Sequence, residues 1–555
     1  MLRKWRTGST DMGQTFWRRH RWLKWFALSC LVVLALVTAA AVVAIRHAEP
    51  YMRSLIVDRL EQQFHARVEL GSFHISLAHG FRAEGTGLRI WPPAQVAGMA
   101  TDLNAPGKPL IEIADFRFRV PLHFRGPNPI RIAQVNLRGL VIDIPPHSHF
   151  LHPAGGAASS KPKLAGPPGA ALLRFMVENV ACEDARLTLE NSNPAKLPLE
   201  FDIQSLNVTH VSYGGAMDFN ARLTNPRPRG LIVTRGKLGP WVVDDPGTTP
   251  LEGSYSFENA DLGTFKGISG TLNSTGSYQG ALRNLTVVGQ TETPNFALTG
   301  FGTAMQLHTD FRAKVDGTNG NTWLEPVNAT LGHSHFVAEG QIVDLPAIPA
   351  ENGKPAQKAG HEVELNVNVA NGQMADFLRL TSRNGDPLLT GTVHIKTWLE
   401  IPPGSNPVNE RLLLKGSFTL DDAQFASQKV QERIGELSLR GQGKPKDAKS
   451  AAAAEVRSTM ASDFTMADGV ITLPDLKYMV PGAEIDLKGT YDMDGGALAF
   501  RGSARMEATV SQMVGGWKGA LLKPMDRFFK KDGAGTRIGV HVDGTREDPH
   551  FGVDL

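Results

Sequence analysis

From Glu362 to Val369 the chain alternates strictly, with Val363, Leu365, Val367 and Val369 interleaved among Glu362, Glu364, Asn366 and Asn368. A period of two sends successive side chains to opposite faces of an extended backbone, so this segment is predicted to be a strand with one apolar and one wet face. The same phase recurs in Leu307, Phe311, Ala313 and Val315 against His308, Asp310, Arg312 and Lys314. It recurs again in Ile485, Leu487 and Tyr491 against Glu484, Asp486, Lys488 and Asp492. Strands buried on both faces of a parallel sheet read as continuous apolar runs, so these are expected to be antiparallel. Val135 and Leu137 also alternate, but after Gly139 the pattern restarts out of phase with Leu140, Ile142 and Ile144. That slip predicts a bulge or a tight turn between adjacent strands. The 57 glycines and 35 prolines that punctuate these runs favour the β class.

Helical patterns are few. Pro50 to His65 is amphipathic, with Leu55, Ile56, Leu60 and Phe64 on or near one face. Gln428 to Leu437 is a weaker candidate. A stretch from about Ser511 to Lys531 sets Met513, Val514, Trp517, Leu521, Leu522, Phe528 and Phe529 among basic residues, interrupted by glycine and by Pro524. It reads either as a helix on an anionic membrane surface or as a cap over the end of a sheet. The stretches His152 to Ala170, Pro346 to Gly360 and Gly441 to Glu455 lack periodicity and read as linkers.

Trp25 to Ile45 carries no charged residue, and at about 1.5 Å per residue it is long enough to cross a ~30 Å hydrocarbon core. Arg3, Lys4, Arg6, Arg18, Arg19, Arg21 and Lys24 precede it against the single acid Asp11, which orients this tail to the cytoplasm and sends the remainder across. Trp17, Trp22 and Trp25 suit the headgroup layer. The rival reading is a cleavable signal peptide ending near Ala39 to Ala41, whose apolar core is ordinarily shorter, about 7–15 residues. The expected location is therefore the cell inner membrane, single-pass, with the bulk periplasmic.

Only Cys30 and Cys182 occur, so no disulfide forms within the exported part. The net charge of +3 lies mostly in the basic tail, and nucleic-acid motifs are absent. Catalytic signals are equally thin. No GxSxG, P-loop, HExxH or CxxC string is present. Asp244 with Asp245, and Asp421 with Asp422, are adjacent pairs that point oppositely on a strand and are common in turns. His333 and His335, or His147 and His149 with His152 nearby, would share a strand face, yet two ligands do not make a zinc site. The chain is expected to be no enzyme and to need neither cofactor nor metal.

A sheet with an apolar face must cover it, since each square ångström left in water forfeits roughly 25 cal/mol. With so few helices, either sheet packs on sheet, or a curved sheet encloses something apolar. For an exported chain tethered to a membrane, lipid acyl chains are the nearest apolar ligand.

Three stretches bear on this choice. Tyr51 to Leu70 followed by GSFHISLAHGFRAEGTGLRI, then Ala260 to Leu298, and finally Val480 to Met513 with the closing GTREDPHFGVDL resemble the AsmA-like family of Gram-negative envelope proteins. The likeness covers most of the exported chain outside the linkers, and its motifs are moderately specific. It implies an elongated, curved, largely antiparallel β-sheet forming an apolar groove, similar to bridge-like lipid-transfer proteins, and a part in envelope lipid homeostasis.

The expected organisation is a basic tail at 1–24, a transmembrane helix at 25–45, a membrane-proximal β region at 46–151 with the 50–65 helix, a linker at 152–170, and a β-groove region at 171–555. Leu307, Phe311, Val315, Val363, Leu365, Val367, Val369, Ile485 and Leu487 are the groove candidates. Leu55, Leu60, Phe64, Trp517, Leu521, Phe528 and Phe529 are the membrane-surface candidates. The expected partners are phospholipids, the inner membrane, and an outer-membrane or envelope partner. The alternative reading is an envelope assembly factor that meets outer-membrane proteins along strand edges.

Overall fold

The structure is a computed structural model. It describes residues 31–33, 35, 36 and most of 49–61, and from 67 to 554 all but 77–80, 92–107, 121–129, 145–174, 190–197, 212–214, 241, 243–245, 300–301, 346–359, 381–386, 446–455, 494–495, 530–534 and 546–547. It is mainly β, with few helices. The chain divides into two compact units, Met1–Glu183 and Asp184–Leu555.

Most of the expected span from Trp25 to Ile45 lies outside the described residues, as do the 1–24 tail and the 152–170 linker. Leu31, Val32, Val33, Ala35 and Leu36 are helical. Among the described residues no helix is long and apolar enough to cross a membrane.

Unit 1 holds β1 (Val68–Ser76), β2 (Phe81–Ile90), β3 (Ile111–Val120), β4 (Ile130–Ile132), β5 (Gln134–Ile144) and β6 (Phe175–Val177), while β7 (Asn179–Leu189) spans the division. Strands β1, β2, β3 and β5 pair antiparallel in that order, and β4 and β6 form a short parallel pair. The described residues between 49 and 61 are helical, and Ile56, Val57 and Leu60 pack on the cluster of Val68, Leu70, Phe73, Leu88 and Phe116.

The slip at Gly139 is not the expected bulge or inter-strand turn. Arg138 pairs with Asp115 and Leu140 with Ile113 in one unshifted register, so β5 continues through it. Its neighbours change phase on the same row, Gly71, Gly87, Ala114 and Gly139: buried Leu70 gives way to Phe73, Leu88 to Ala83, and Ile113 to Phe116. Gly87 and Gly139 take φ of +65° and +61°, which turns the following side chains over without breaking the ladder. A Cβ at Gly139 would stand 2.8 Å from that of Ala114. Residues on both sides of the row thus reach one core.

Unit 2 is a meander. Its strands are β8 (Leu199–Thr209), β9 (Met217–Pro226), β10 (Arg229–Leu238), β11 (Pro250–Asp261), β12 (Ile268–Ser269), β13 (Thr271–Ala281), β14 (Asn284–Leu298), β15 (Met305–Val315), β16 (Thr322–Leu331) and β17 (Ser334–Leu345). Then come β18 (Gly360–Gln373), β19 (Leu389–Ile401), β20 (Leu413–Phe425), β21 (Ser458–Ala467), β22 (Val470–Val480), β23 (Ala483–Asp492), β24 (Ala497–Met506), β25 (Thr536–Thr545) and β26 (Pro549–Asp554). Each pairs antiparallel with the next, except that the short β12 pairs with β14 and leaves β11 beside β13. The predicted strands at 307–315, 363–369 and 485–491 fall within β15, β18 and β23.

Every second strand across the middle carries one residue more than its partners. The extra residues sit at Glu258–Asn259 in β11, Pro294–Asn295 in β14, Glu325–Pro326 in β16, Ala370–Asn371 in β18, Asp421–Asp422 in β20 and Pro474–Asp475 in β22. Three of these sites hold a proline, which has no N–H to give the ladder. Asn259 and Asp422 take φ of +54° and +52°, which short polar side chains tolerate best after glycine. Such bulges bend a strand and sharpen its twist. Asp421 and Asp422 are thus bulge residues, with no shared site between them.

The longer helices gather at one end of the strands, here the first end, which holds Ala260, Met305, Leu331, Val369 and Leu420. Helix α1 (Met374–Arg379) follows β18, and α2 (Val408–Arg411) lies at the second end, between β19 and β20. Helix α3 (Gln428–Gly441) follows β20, with the Ser427 hydroxyl accepting from Val430 N–H at its start. Met374 and Phe377 of α1 pack on Val393, Leu420 and Ala423, each fully buried, and burial of one such Leu or Val contributes about 1.5–3 kcal/mol. Ile434 and Leu437 of α3 pack on Val456, Tyr478, Val480, Ala504 and Met506.

The expected basic helix over 511–531 is broken into α4 (Val510–Val514), α5 (Gly516–Leu522), a 3₁₀ turn (Lys523–Met525) and α6 (Asp526–Phe529). Gly515 and Gly516 at φ of +65° and +61° end the first piece, and Pro524 lies in the turn that separates the others.

Candidate functional site

Directly paired residues of an antiparallel ladder project to the same face, so the register decides whether the alternating strands share one apolar surface. They do. One unbroken row of direct pairs runs from β8 to β16 through Val208, Phe219, Gly236, Gly253, Tyr278, Val287, Ala313 and Leu324. It continues from β17 to β26 through Gly340, Leu365, Leu399, Leu414, Met466, Ile471, Tyr491, Leu498, Gly544 and Pro549. No charged side chain interrupts it.

One residue away on the same strands, the opposite face reads Asp218, Lys237, Glu252, Gln279, Thr286, Lys314, Trp323, Gln341, Glu364 and Glu400. Here ions and hydrogen bonds prevail: Gln341 Nε2 and Trp398 Nε1 donate to Glu364 at 3.1 and 3.0 Å. Glu362 sits with Glu364 and Glu400, and burial followed by the repulsion of those two carboxylates pushes its pKa up.

The register places Leu307, Phe311, Val315, Val363, Leu365, Val367 and Val369 on the apolar face, in β15 and β18. Ile485 and Leu487 of β23 lie on it too. Most of them are half-buried, and only Val369, near α1, is fully covered. The helices roof the first end of the face, while the candidates Leu307, Phe311, Val315, Val363, Leu365 and Val367 stay half-buried.

Two pairs of hydroxyls on this face are turned into the sheet. Thr234 donates to the Ser254 carbonyl at 3.0 Å and therefore accepts from Tyr278 Oη at 2.6 Å. Ser274 donates to the Gln290 carbonyl at 2.9 Å and accepts from Tyr255 Oη at 3.1 Å. Burial pushes both tyrosine pKa values up, against the smaller opposing effect of these hydrogen bonds. The rings lie over glycines of adjacent strands, for a Cβ at Gly253 would come within 2.6 Å of Tyr278 Oη. Around these two pairs the floor is smooth, with the tyrosine and partner hydroxyl donors already used. Sequence reasoning passed over these tyrosines, although the glycines facing them across the ladder were a readable signal.

The membrane-surface candidates are scattered. Leu60 packs inside unit 1. Leu521 is 68% exposed, and Met513 of the same stretch packs against the α3 cluster. Leu55, Phe64 and the side chains of Trp517, Phe528 and Phe529 lie outside the described residues.

His333 lies in the turn between β16 and β17, and His335 in β17 has Nδ1 2.9 Å from Thr330 Oγ1. Among the described residues no cluster of histidine, cysteine or carboxylate groups has the geometry of a metal site. His147, His149, His152, Asp244 and Asp245 lie outside the described residues. Cys182 is buried, at 2% exposure.

No family model, curated protein or solved structure matches this chain.

Proposed function

We propose that unit 2 is a groove that binds lipid acyl chains on its apolar face, in a protein anchored in the inner membrane with its bulk in the periplasm, serving phospholipid transport or outer-membrane lipid homeostasis. The observation that carries this reading is the uncharged row from Val208 to Pro549, which is continuous across the unit, with α1 and α3 packed over the first end of the same face. Apolar contact is non-directional, and the uncharged row offers a headgroup no ionic anchor. A chain on such a surface slides rather than locks, with no covalent chemistry and no cofactor. The resemblance of Ala260 to Leu298 and Val480 to Met513 to AsmA-like proteins supports the same assignment, as does the uncharged run from Trp25 to Ile45.

The test is mass spectrometry of lipids that co-purify with the full chain and with a Leu365→Asp, Leu487→Asp variant. Phospholipid with the parent and several-fold less with the variant is expected; equal lipid in both removes the apolar face as the binding surface.

A second reading has its own observation. Strand β26 pairs only with β25 among the described pairings, and its Phe551 and Val553 are 49% and 55% exposed. An envelope assembly factor would add a client strand there. It predicts protein crosslinks from β26 and a lipid-free face at Leu365.

A further inference from the structure

Two loops from opposite ends of the strands meet in unit 2. The segment after β11 belongs to the first end, where Ile268 and Ser269 pair with Leu298 and Ala297 of β14, and Thr299 N–H donates to the Gly267 carbonyl at 2.9 Å. The loop 402–412 belongs to the second end. It leaves β19 at Ile401, the last of a row of direct pairs through Leu285, Val315, Thr322, Ile342 and Val363. Yet Val408 N–H donates to the Lys266 carbonyl at 2.9 Å.

A flat sheet forbids that contact. Leu285 to Leu298 rises about 43 Å at ~3.3 Å per residue, and five inter-strand steps of ~4.8 Å add about 24 Å, so these corners would stand roughly 50 Å apart. The seven residues from Ile401 to Val408 reach at most about 23 Å, so a hydrogen bond to Lys266 requires the block from β14 to β19 to roll until its diagonal corners come within that reach. The bulges of β14, β16 and β18 supply the bend. The face turned inward is the apolar one, because the charged residues opposite, such as Arg312, Lys314 and Lys396, remain exposed.

The meeting point is built for close approach. Gly267 has φ of +101°, and a Cβ there would lie 2.7 Å from Val408 N and 3.2 Å from Val408 Cβ. On the other side, Arg411 ties its loop together through the Asn406 carbonyl at 2.9 Å and the Pro402 carbonyl. Val408 opens α2 with its N–H outside the helical ladder, which leaves that donor for Lys266.

We propose that this contact is a clasp that closes the apolar face from the side between β14 and β19, so that a chain lying on Leu307, Phe311, Val315, Val363 or Leu365 leaves sideways only when the clasp opens. The rolled geometry stands by itself; its consequence for a bound chain rests on the acyl-chain reading above.

The test uses the full chain with Cys30→Ser and Cys182→Ser, spin labels at Lys266→Cys and Glu410→Cys, and pulsed dipolar distance measurement. The parent should give one short, narrow distance. Gly267→Val should broaden and lengthen it. Val408→Pro should do the same while sparing the fold, since the first helical position tolerates proline, whose ring removes the donor and sets a carbon against the Lys266 carbonyl.

A phosphatidylethanolamine with a fluorescent acyl chain, loaded from mixed micelles, should leave both variants at least tenfold faster than the parent. A broad or long distance in the parent, or unchanged distances in both variants, overturns the clasp. Distances that respond while the probe leaves at the parent's rate overturn its role as a gate and keep lipid binding. A probe that binds none of the three proteins removes the acyl-chain reading, and the gate with it, while the distances still report on the clasp.

Discussion

Replacing Asp376 with alanine should loosen the junction where α1 meets the turn between β16 and β17. Asp376 is 1% exposed and sits in the first turn of α1. Its Oδ2 accepts from His333 N–H at 2.9 Å and from the Ser334 hydroxyl at 2.8 Å, and Ser334 Oγ in turn accepts from Gln373 N–H at 2.8 Å. Alanine would strand the His333 N–H at about 1–3 kcal/mol and leave the Ser334 hydroxyl only the Gln373 carbonyl at 3.4 Å, at about 1 kcal/mol, so a combined loss of about 2–4 kcal/mol is expected. Arg379, whose Nη1 is 3.6 Å from Oδ1, adds little across that distance. Asp376→Asn keeps an oxygen in place and loses only charge assistance, which costs about 1 kcal/mol. The assay is amide hydrogen exchange read on peptides covering 331–337 and 373–380, because a long meander opens locally before it opens globally. Opening of those amides should become roughly 30- to 1,000-fold more frequent in the alanine variant and about fivefold in the asparagine variant. Exchange within twofold of the parent in Asp376→Ala would show that the carboxylate does not hold this junction.

Three further outcomes follow from the same geometry. Burial opposes charge on His308, but the hydrogen bonds its ring donates to Asp310 and Glu292 and their negative charges outweigh it, so its pKa lies above the ordinary 6.5. Its stabilising contribution is therefore complete below pH ~6.5 and fades as pH rises through the raised value, and a ring-proton titration with a midpoint below 6.5 would contradict this. Asp422→Val, at φ of +52°, should lower stability by about 1–2 kcal/mol while Asp422→Gly should not, measured by thermal unfolding. Leu420→Ala, at a fully buried position under α1, should cost about 2–5 kcal/mol in the same assay.

The strands were legible wherever the period of two survived for several residues, as from Val363 to Val369, because one burial pattern and one backbone geometry then agree. That Leu307, Val363 and Leu487 share a face was less so: it depends on register across many strands, and each bulge shifts that register by one residue. Pro294, Pro326, Pro474 and Asp422 read as loop or turn residues in isolation, since the same backbone demands, a missing N–H or a positive φ, arise at bulges. Gly139 misled for a related reason, as its phase change makes sense only beside Gly71, Gly87 and Ala114 in neighbouring strands. The Ser511 to Lys531 stretch showed its amphipathic character, but Gly515, Gly516 and Pro524 divide it. The roofing of one end by α1 and α3 and the approach of Val408 to Lys266 are products of curvature, which no local pattern encodes.

Site-specific photo-crosslinking tests the central claim most directly. Probes placed singly at Leu365 and Leu487, on the apolar face, and at Glu364 and Asp486, one residue away on the opposite face, are activated in cells and the adducts are read by mass spectrometry. Phospholipid adducts are expected at Leu365 and Leu487 and none at Glu364 or Asp486. Equal capture on both faces, or protein adducts alone at Leu365 and Leu487, would contradict it.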